Sequence, residues 1–165
     1  MGNCKKISLI CFMSFLSTFC FARQLCFQIV QHDNAAKELT EQSLTIEDEV
    51  LNSFFDCGYI VTNSNATVSN SQNQDETLFK TGIKDAFNGF SDIFIQINLF
   101  FEQNDENTAN NSELKSINYI IANASTGIKI AENTLQNIKA EHKKDDLQKI
   151  SSNLVFQINK VLKNK

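Results

Sequence analysis

The segment from Asp92 to Glu102 alternates with the period of two that defines a β-strand, and it narrows most what this chain can become. Ile93, Ile95, Ile97 and Leu99 fall on one face, and Phe94, Gln96, Asn98 and Phe100 on the other. A strand with so apolar a face needs neighbours and a cover, so the remaining periodicities decide the fold.

Leu25–Val30 reads as another strand, with Leu25, Phe27 and Ile29 on one side. Thr45 is placed to cap a helix whose first turn holds Glu47, Asp48 and Glu49, where the helix dipole favours acids. Its apolar stripe is Ile46, Val50, Leu51, Phe54 and Phe55, and Gly58 stops it. Tyr59–Thr62 is a short strand. Residues 63–75 are rich in Asn, Ser, Gln and Thr and predict a mobile polar loop. A second helix spans about Glu76 to Asn88. Leu114–Ala122 and Gly127–Leu135 predict two strands joined by the turn-forming run Asn123–Gly127. The chain closes on its clearest amphipathic helix, with Leu147, Ile150, Leu154, Val155, Ile158, Val161 and Leu162 in one stripe. Asp145 and Asp146 stand at its start and Lys160 and Lys163 near its end. The class is therefore α/β (α+β): a mixed β-sheet of about five strands with three helices, in the order β-α-β-α-β-β-β-α. The helices are expected over one sheet face.

The first twenty-two residues differ in kind. Lys5 and Lys6 precede an apolar run from Ile7 to Phe21, and Cys20 and Ala22 place small residues at the −3 and −1 positions of a cleavage site. These are the parts of a secretory signal peptide cleaved after Ala22. The run of about 15 residues is shorter than the roughly 20 that span a bilayer. Lipidation at Cys20 is the competing outcome, but Phe19 stands where a lipoprotein signal wants a small residue. Cys26 follows Leu25 and has the same defect. Myristoylation of Gly2 with palmitoylation of Cys4 would want Ser or Thr at the place of Lys6. Membrane association is thus expected only through an uncleaved or lipidated N-terminus. Removing residues 1–22 from the 165 leaves 143, the size of a single domain over residues 23–165.

Export changes the cysteine and charge accounts. Cys26 and Cys57 remain, and an oxidising compartment permits a disulfide between them; two buried thiols are the alternative. The 15 basic residues fall to 13 against 19 acids, a balance that argues against nucleic acid as a partner. Asn65, Asn110 and Asn123 match glycosylation acceptors formally, as an Asn-rich chain will by chance.

No catalytic constellation emerges. His32 and His142 are far apart in polar surroundings and read as surface residues, without the close ligand spacing of a metal site. Glu47, Asp48 and Glu49 are adjacent on a helix and do not share a face. No serine lies in a nucleophile turn, and isolated Gly82, Gly89 and Gly127 form no phosphate-binding loop, so neither cofactor nor metal is expected.

Three stretches carry a resemblance: Ile46–Thr62 with Phe54-Phe55-Asp56-Cys57-Gly58-Tyr59-Ile60-Val61, then Phe87–Ile95, then the hairpin Tyr119–Ile130 with its Ser125-Thr126-Gly127 turn. Together with the terminal helix they resemble the extracytoplasmic α/β domain shared by CsgG, LpoB and the N-terminal domain of TolB. That resemblance implies a non-enzymatic envelope accessory protein that binds other proteins or assembles with itself. The alternative is a small-molecule or glycan-binding periplasmic module using the 63–75 segment, and a hydrolase of unfamiliar design stands behind both.

Overall fold

The computed structural model of the chain describes residues 23–34, 36–103, 112–136, 138 and 144–164. The signal segment with Cys20 and Ala22, the acceptor Asn110, and His142 lie outside the described residues. The elements run β1 (Gln24–His32), α1 (Glu41–Asp56), β2 (Ile60–Val68), α2 (Gln72–Asn88), β3 (Ile93–Gln103), β4 (Ser112–Asn123), β5 (Lys129–Leu135) and α3 (Lys144–Lys163). They form one five-stranded sheet in the order β2-β1-β3-β4-β5. β1 is parallel to both β2 and β3, whereas β4 and β5 are antiparallel to their predecessors. The mixed sheet, the three helices and their order are those the sequence predicts.

The cover differs from expectation. All three helices were expected on one face, yet α2 lies on the opposite face from α1 and α3. The strand order supplies the reason. From β1 the chain crosses over to β2 on one side, and from β2 it crosses back past β1 to β3. Each parallel crossover is right-handed, so reversing direction sends the second helix to the other face.

The face under α1 and α3 holds the main core. Leu25, Phe27 and Ile29 of β1, and Ile93, Ile95, Ile97 and Leu99 of β3, meet Ile46, Val50 and Phe54 of α1 and Leu154, Val155 and Ile158 of α3. Phe54 packs its ring 6.1 Å from Phe27 and meets Tyr59 edge-on at 6.0 Å. The face under α2 holds a smaller cluster: Cys26, Ala86, Phe94 and Ala124, with Phe79 and Ile83 against it. Here α2 approaches by its backbone. A Cβ on Gly82 would sit 2.2 Å from the Phe94 ring, so only glycine fits.

Two helix starts lie earlier than the sequence suggests. Thr40, not Thr45, caps α1, accepting from the Ser43 amide, and Glu47, Asp48 and Glu49 fall mid-helix. Ser71 caps α2 and accepts from the Gln74 amide. The predicted loop over 63–75 is therefore mostly regular structure. Residues 63–68 continue β2, where their backbone pairs with β1, and 72–75 form the first turn of α2. Backbone pairing along β1 and a capped helix outweigh the polar side chains, which simply face water at the sheet edge.

Candidate functional site

The structure does not bring Cys26 and Cys57 together. Both are free thiols. Cys26 is buried on the α2 face beside Phe94, while Cys57 follows α1 and receives a long contact from Asn159 of α3 at 3.6 Å, on the other side of the sheet. A disulfide demands close Cα approach, which opposite faces forbid. Cys57 is also exposed, so the alternative of two buried thiols holds only for Cys26. Among the described residues no three His, Cys, Asp or Glu side chains gather as a metal site.

His32 is not the surface residue its setting suggests. It ends β1 opposite Phe100 of β3, and the two rings stack at 4.4 Å and 13°. Its Nε2 lies 3.7 Å from Asp75 Oδ1, too long for a hydrogen bond. Asp75 Oδ1 also accepts a short hydrogen bond from the Ser69 hydroxyl. This is no nucleophile-and-base pair, because the serine donates to the carboxylate rather than to the imidazole. Around these groups lies an open cleft of about 350 Å³, lined by His32, Asn34, Ser69, Asn70, Gln72, Asp75 and Phe100 among others. It sits at the carboxyl ends of β1, β2 and β3; the connections leaving β1 and β2 run to opposite faces of the sheet, and such a point is where open α/β sheets receive ligands. Sequence reasoning pointed to the 63–75 segment as a candidate binding element but not to its partners His32 and Phe100, because strand order is not written in local periodicity. The polar run, read there as a loop, forms one wall.

The opposite end of the sheet, where the parallel strands start, has another character. Phe55 in the last turn of α1, Ile60 opening β2, Phe87 in the last turn of α2, Phe90, and Ile128 in the β4–β5 turn are all exposed there. Phe90 stands out. It is the non-glycine residue with positive φ (62°) among the described residues, and it is 86% exposed. Its backbone is set by the end of α2: the Phe90 amide donates to the Phe87 carbonyl at 3.0 Å and the Ser91 amide to the Ala86 carbonyl at 2.9 Å, the cap that places the residue after Gly89 in the left-handed region. Glycine suits that position best, and the phenylalanine ring there stays in water. A second open depression of about 400 Å³, lined by Arg23, Asp92, Asn123 and Leu162, lies at this end. Its one guanidinium already donates to the Leu162 carbonyl at 3.0 Å. Among the described residues no helix is long and apolar enough to cross a membrane.

Fold and surface together define a three-layer mixed α/β domain with an open cleft at one end of its sheet and exposed aromatic side chains at the other. Residues 24–163 match the model of a family described as "Uncharacterised protein", and the chain belongs to that family. No curated protein sequence matches it. Among solved structures it is similar to the PelC dodecamer from Paraburkholderia phytofirmans, at 9% identity over 85% of this chain and 86% of that one, with a TM-score of 0.44. A lipoprotein from Neisseria meningitidis shares 11% identity over 84% and 99% of the two chains, with a TM-score of 0.42. TolB from Acinetobacter baumannii shares 13% identity over 86% of this chain but 28% of its own, with a TM-score of 0.43. Likenesses at this level assign no role.

Proposed function

We propose that this is an extracytoplasmic envelope accessory protein that acts without catalysis, by binding another protein or further copies of itself through the end of the sheet that carries Phe90. The observation that carries this reading is Phe90 itself. The cap of α2 fixes the backbone at Phe90 but does not require a ring there; an exposed phenylalanine where glycine would serve the cap better adds apolar surface that supports a contact outside the domain. Phe55, Ile60, Phe87 and Ile128 are exposed at the same end of the sheet and add apolar surface there. The signal-like segment 1–22 supports a location outside the cytoplasm.

The test is Phe90→Gly, which suits the backbone and deletes the ring. Sedimentation equilibrium and crosslinking in the native envelope should show association for the natural chain and its loss in the variant, while the variant melts no lower. A natural chain that stays monomeric and uncrosslinked, or a variant that associates as before, ends this reading. Intact-mass measurement of protein from its native cell tests the export step, with cleavage after Ala22 expected.

A further inference from the structure

We propose that the cleft at the ends of β1 and β3 binds a neutral saccharide. The site is independent of the Phe90 end, since the two lie at opposite ends of the parallel strands. Three observations converge on this ligand class.

The first is what lines the cleft. Asn34, Asn70 and Gln72 carry side-chain amides that both donate and accept, Ser69 and Ser71 carry hydroxyls, and no Lys or Arg is among the lining residues. The single carboxylate, Asp75, disfavours phosphate or another anion, and the lining holds no Lys or Arg to attract one. Vicinal hydroxyl groups match such a lining without bringing charge.

The second is Phe100. Its ring stacks on His32 and remains 37% exposed at the cleft. A fixed, partly exposed aromatic face offers the C–H side of a pyranose a surface to rest on, while the ring's hydroxyls meet the amides.

The third lies beneath the cleft floor. Inward from the His32–Phe100 pair, the same sheet face carries Asn98 and then the neighbours Gln28 and Gln96. These three are 6%, 8% and 1% exposed, and Asn98 Oδ1, Gln28 Oε1 and Gln96 Nε2 have no hydrogen-bond partner. A buried polar atom without a partner is costly; these three lie below the cleft, but His32 Nε2 in its own wall is likewise buried without a hydrogen-bond partner and calls for a group from outside the chain. A ligand hydroxyl, or a water that it orders, supplies a partner to that nitrogen.

The experiment is calorimetric titration of the full chain with chitobiose, cellobiose and maltose, with inorganic phosphate as the charged probe. Saturable binding of at least one disaccharide, at a Kd of roughly 1 mM or below, is expected. Phe100→Ala should weaken it by about tenfold. Asn70→Ala and Gln72→Ala, on exposed side chains that leave the core alone, should each weaken it by about threefold. Phe90→Gly should leave it unchanged. The proposal is overturned if no disaccharide saturates by about 10 mM, if binding ignores all three cleft variants, or if phosphate alone binds. None of those results would touch association through Phe90.

Discussion

On the sheet face shared by α1 and α3, the buried amide of Gln31 is used at both ends. Its Oε1 accepts from the Thr40 amide at 2.8 Å and the Ser43 hydroxyl at 2.7 Å, and its Nε2 donates to the Glu38 carbonyl at 3.2 Å. On the face under α2, Gln28, Gln96 and Asn98 are nearly as deeply buried, and each keeps an atom unpartnered. The difference extends to the apolar packing. One face joins two helices to the sheet through large branched and aromatic side chains, and the other holds a single helix by Cys26, Phe94 and two alanines. The first face carries the domain's stability. The second retains polar groups that a purely structural layer would have lost, and the cleft lies at its end, around His32 and Phe100.

The sharpest way to break this comparison is to remove an equal-sized ring from each side. Phe54 is fully buried between Phe27 and Tyr59, and Phe54→Ala should cost about 3–5 kcal/mol, read as a shift in urea midpoint at constant slope. Phe94→Ala removes the ring against which α2 rests. It should cost about 3 kcal/mol, at the low end of the same range, because α2 can settle into the space. If Phe94→Ala proves the more damaging, the division of labour between the faces is wrong.

A smaller effect tests the same seam by addition. Gly82→Ala would push a methyl into the Phe94 ring, which must move or displace α2, at about 1–3 kcal/mol. Pairing it with Phe94→Leu, which clears the contact, should recover part of the loss. A cycle without coupling would show that α2 does not press on Phe94.

Much of this architecture was legible beforehand, and the failures have physical causes. The β3 alternation and the α3 stripe named their elements because burial on fixed faces forces periodicity. The polar 63–75 run misled because β2 is an edge strand, whose outward side chains need not be apolar. The early start of α1 was hidden because Thr40 and Thr45 are both plausible caps; only Gln31, reaching from β1, distinguishes them. The cleft and the separation of Cys26 from Cys57 depend on which strands become neighbours, and no local pattern records that. Phe90 was visible only as one apolar residue among many, since a positive φ at phenylalanine has no sequence signature.

Replacing an unpartnered amide should help rather than harm. Gln96→Leu keeps the volume, removes the orphaned Nε2, and should stabilise the domain by about 1 kcal/mol in urea denaturation. Gln31→Leu on the opposite face should do the reverse, because Thr40, Ser43 and the Glu38 carbonyl would lose their partner. Equal signs from the two variants would erase the distinction between the satisfied Gln31 and the unsatisfied Gln96.

The smallest effect concerns the rim of the tighter face, where Tyr59 donates its hydroxyl to Asn159 of α3 at 2.8 Å. Burial raises the Tyr59 pKa above its ordinary 10.0, with the nearby Arg23 charge opposing and Cys57 adding to the rise. A raised folded-state value means that the folded chain keeps a proton that the unfolded chain releases. The stability tied to Tyr59 is therefore complete below pH 10 and declines as pH rises through and beyond that value. Tyr59→Phe cannot titrate, so it should cost about 0.5 kcal/mol at neutral pH and show a flatter loss in alkaline urea titrations than the natural chain. Comparing the two chains cancels the titration of lysines common to both. A variant that tracks the natural chain through the alkaline range would mean that the Tyr59–Asn159 bond does not tie α3 to the β2 edge, leaving apolar packing alone to close that side of the core.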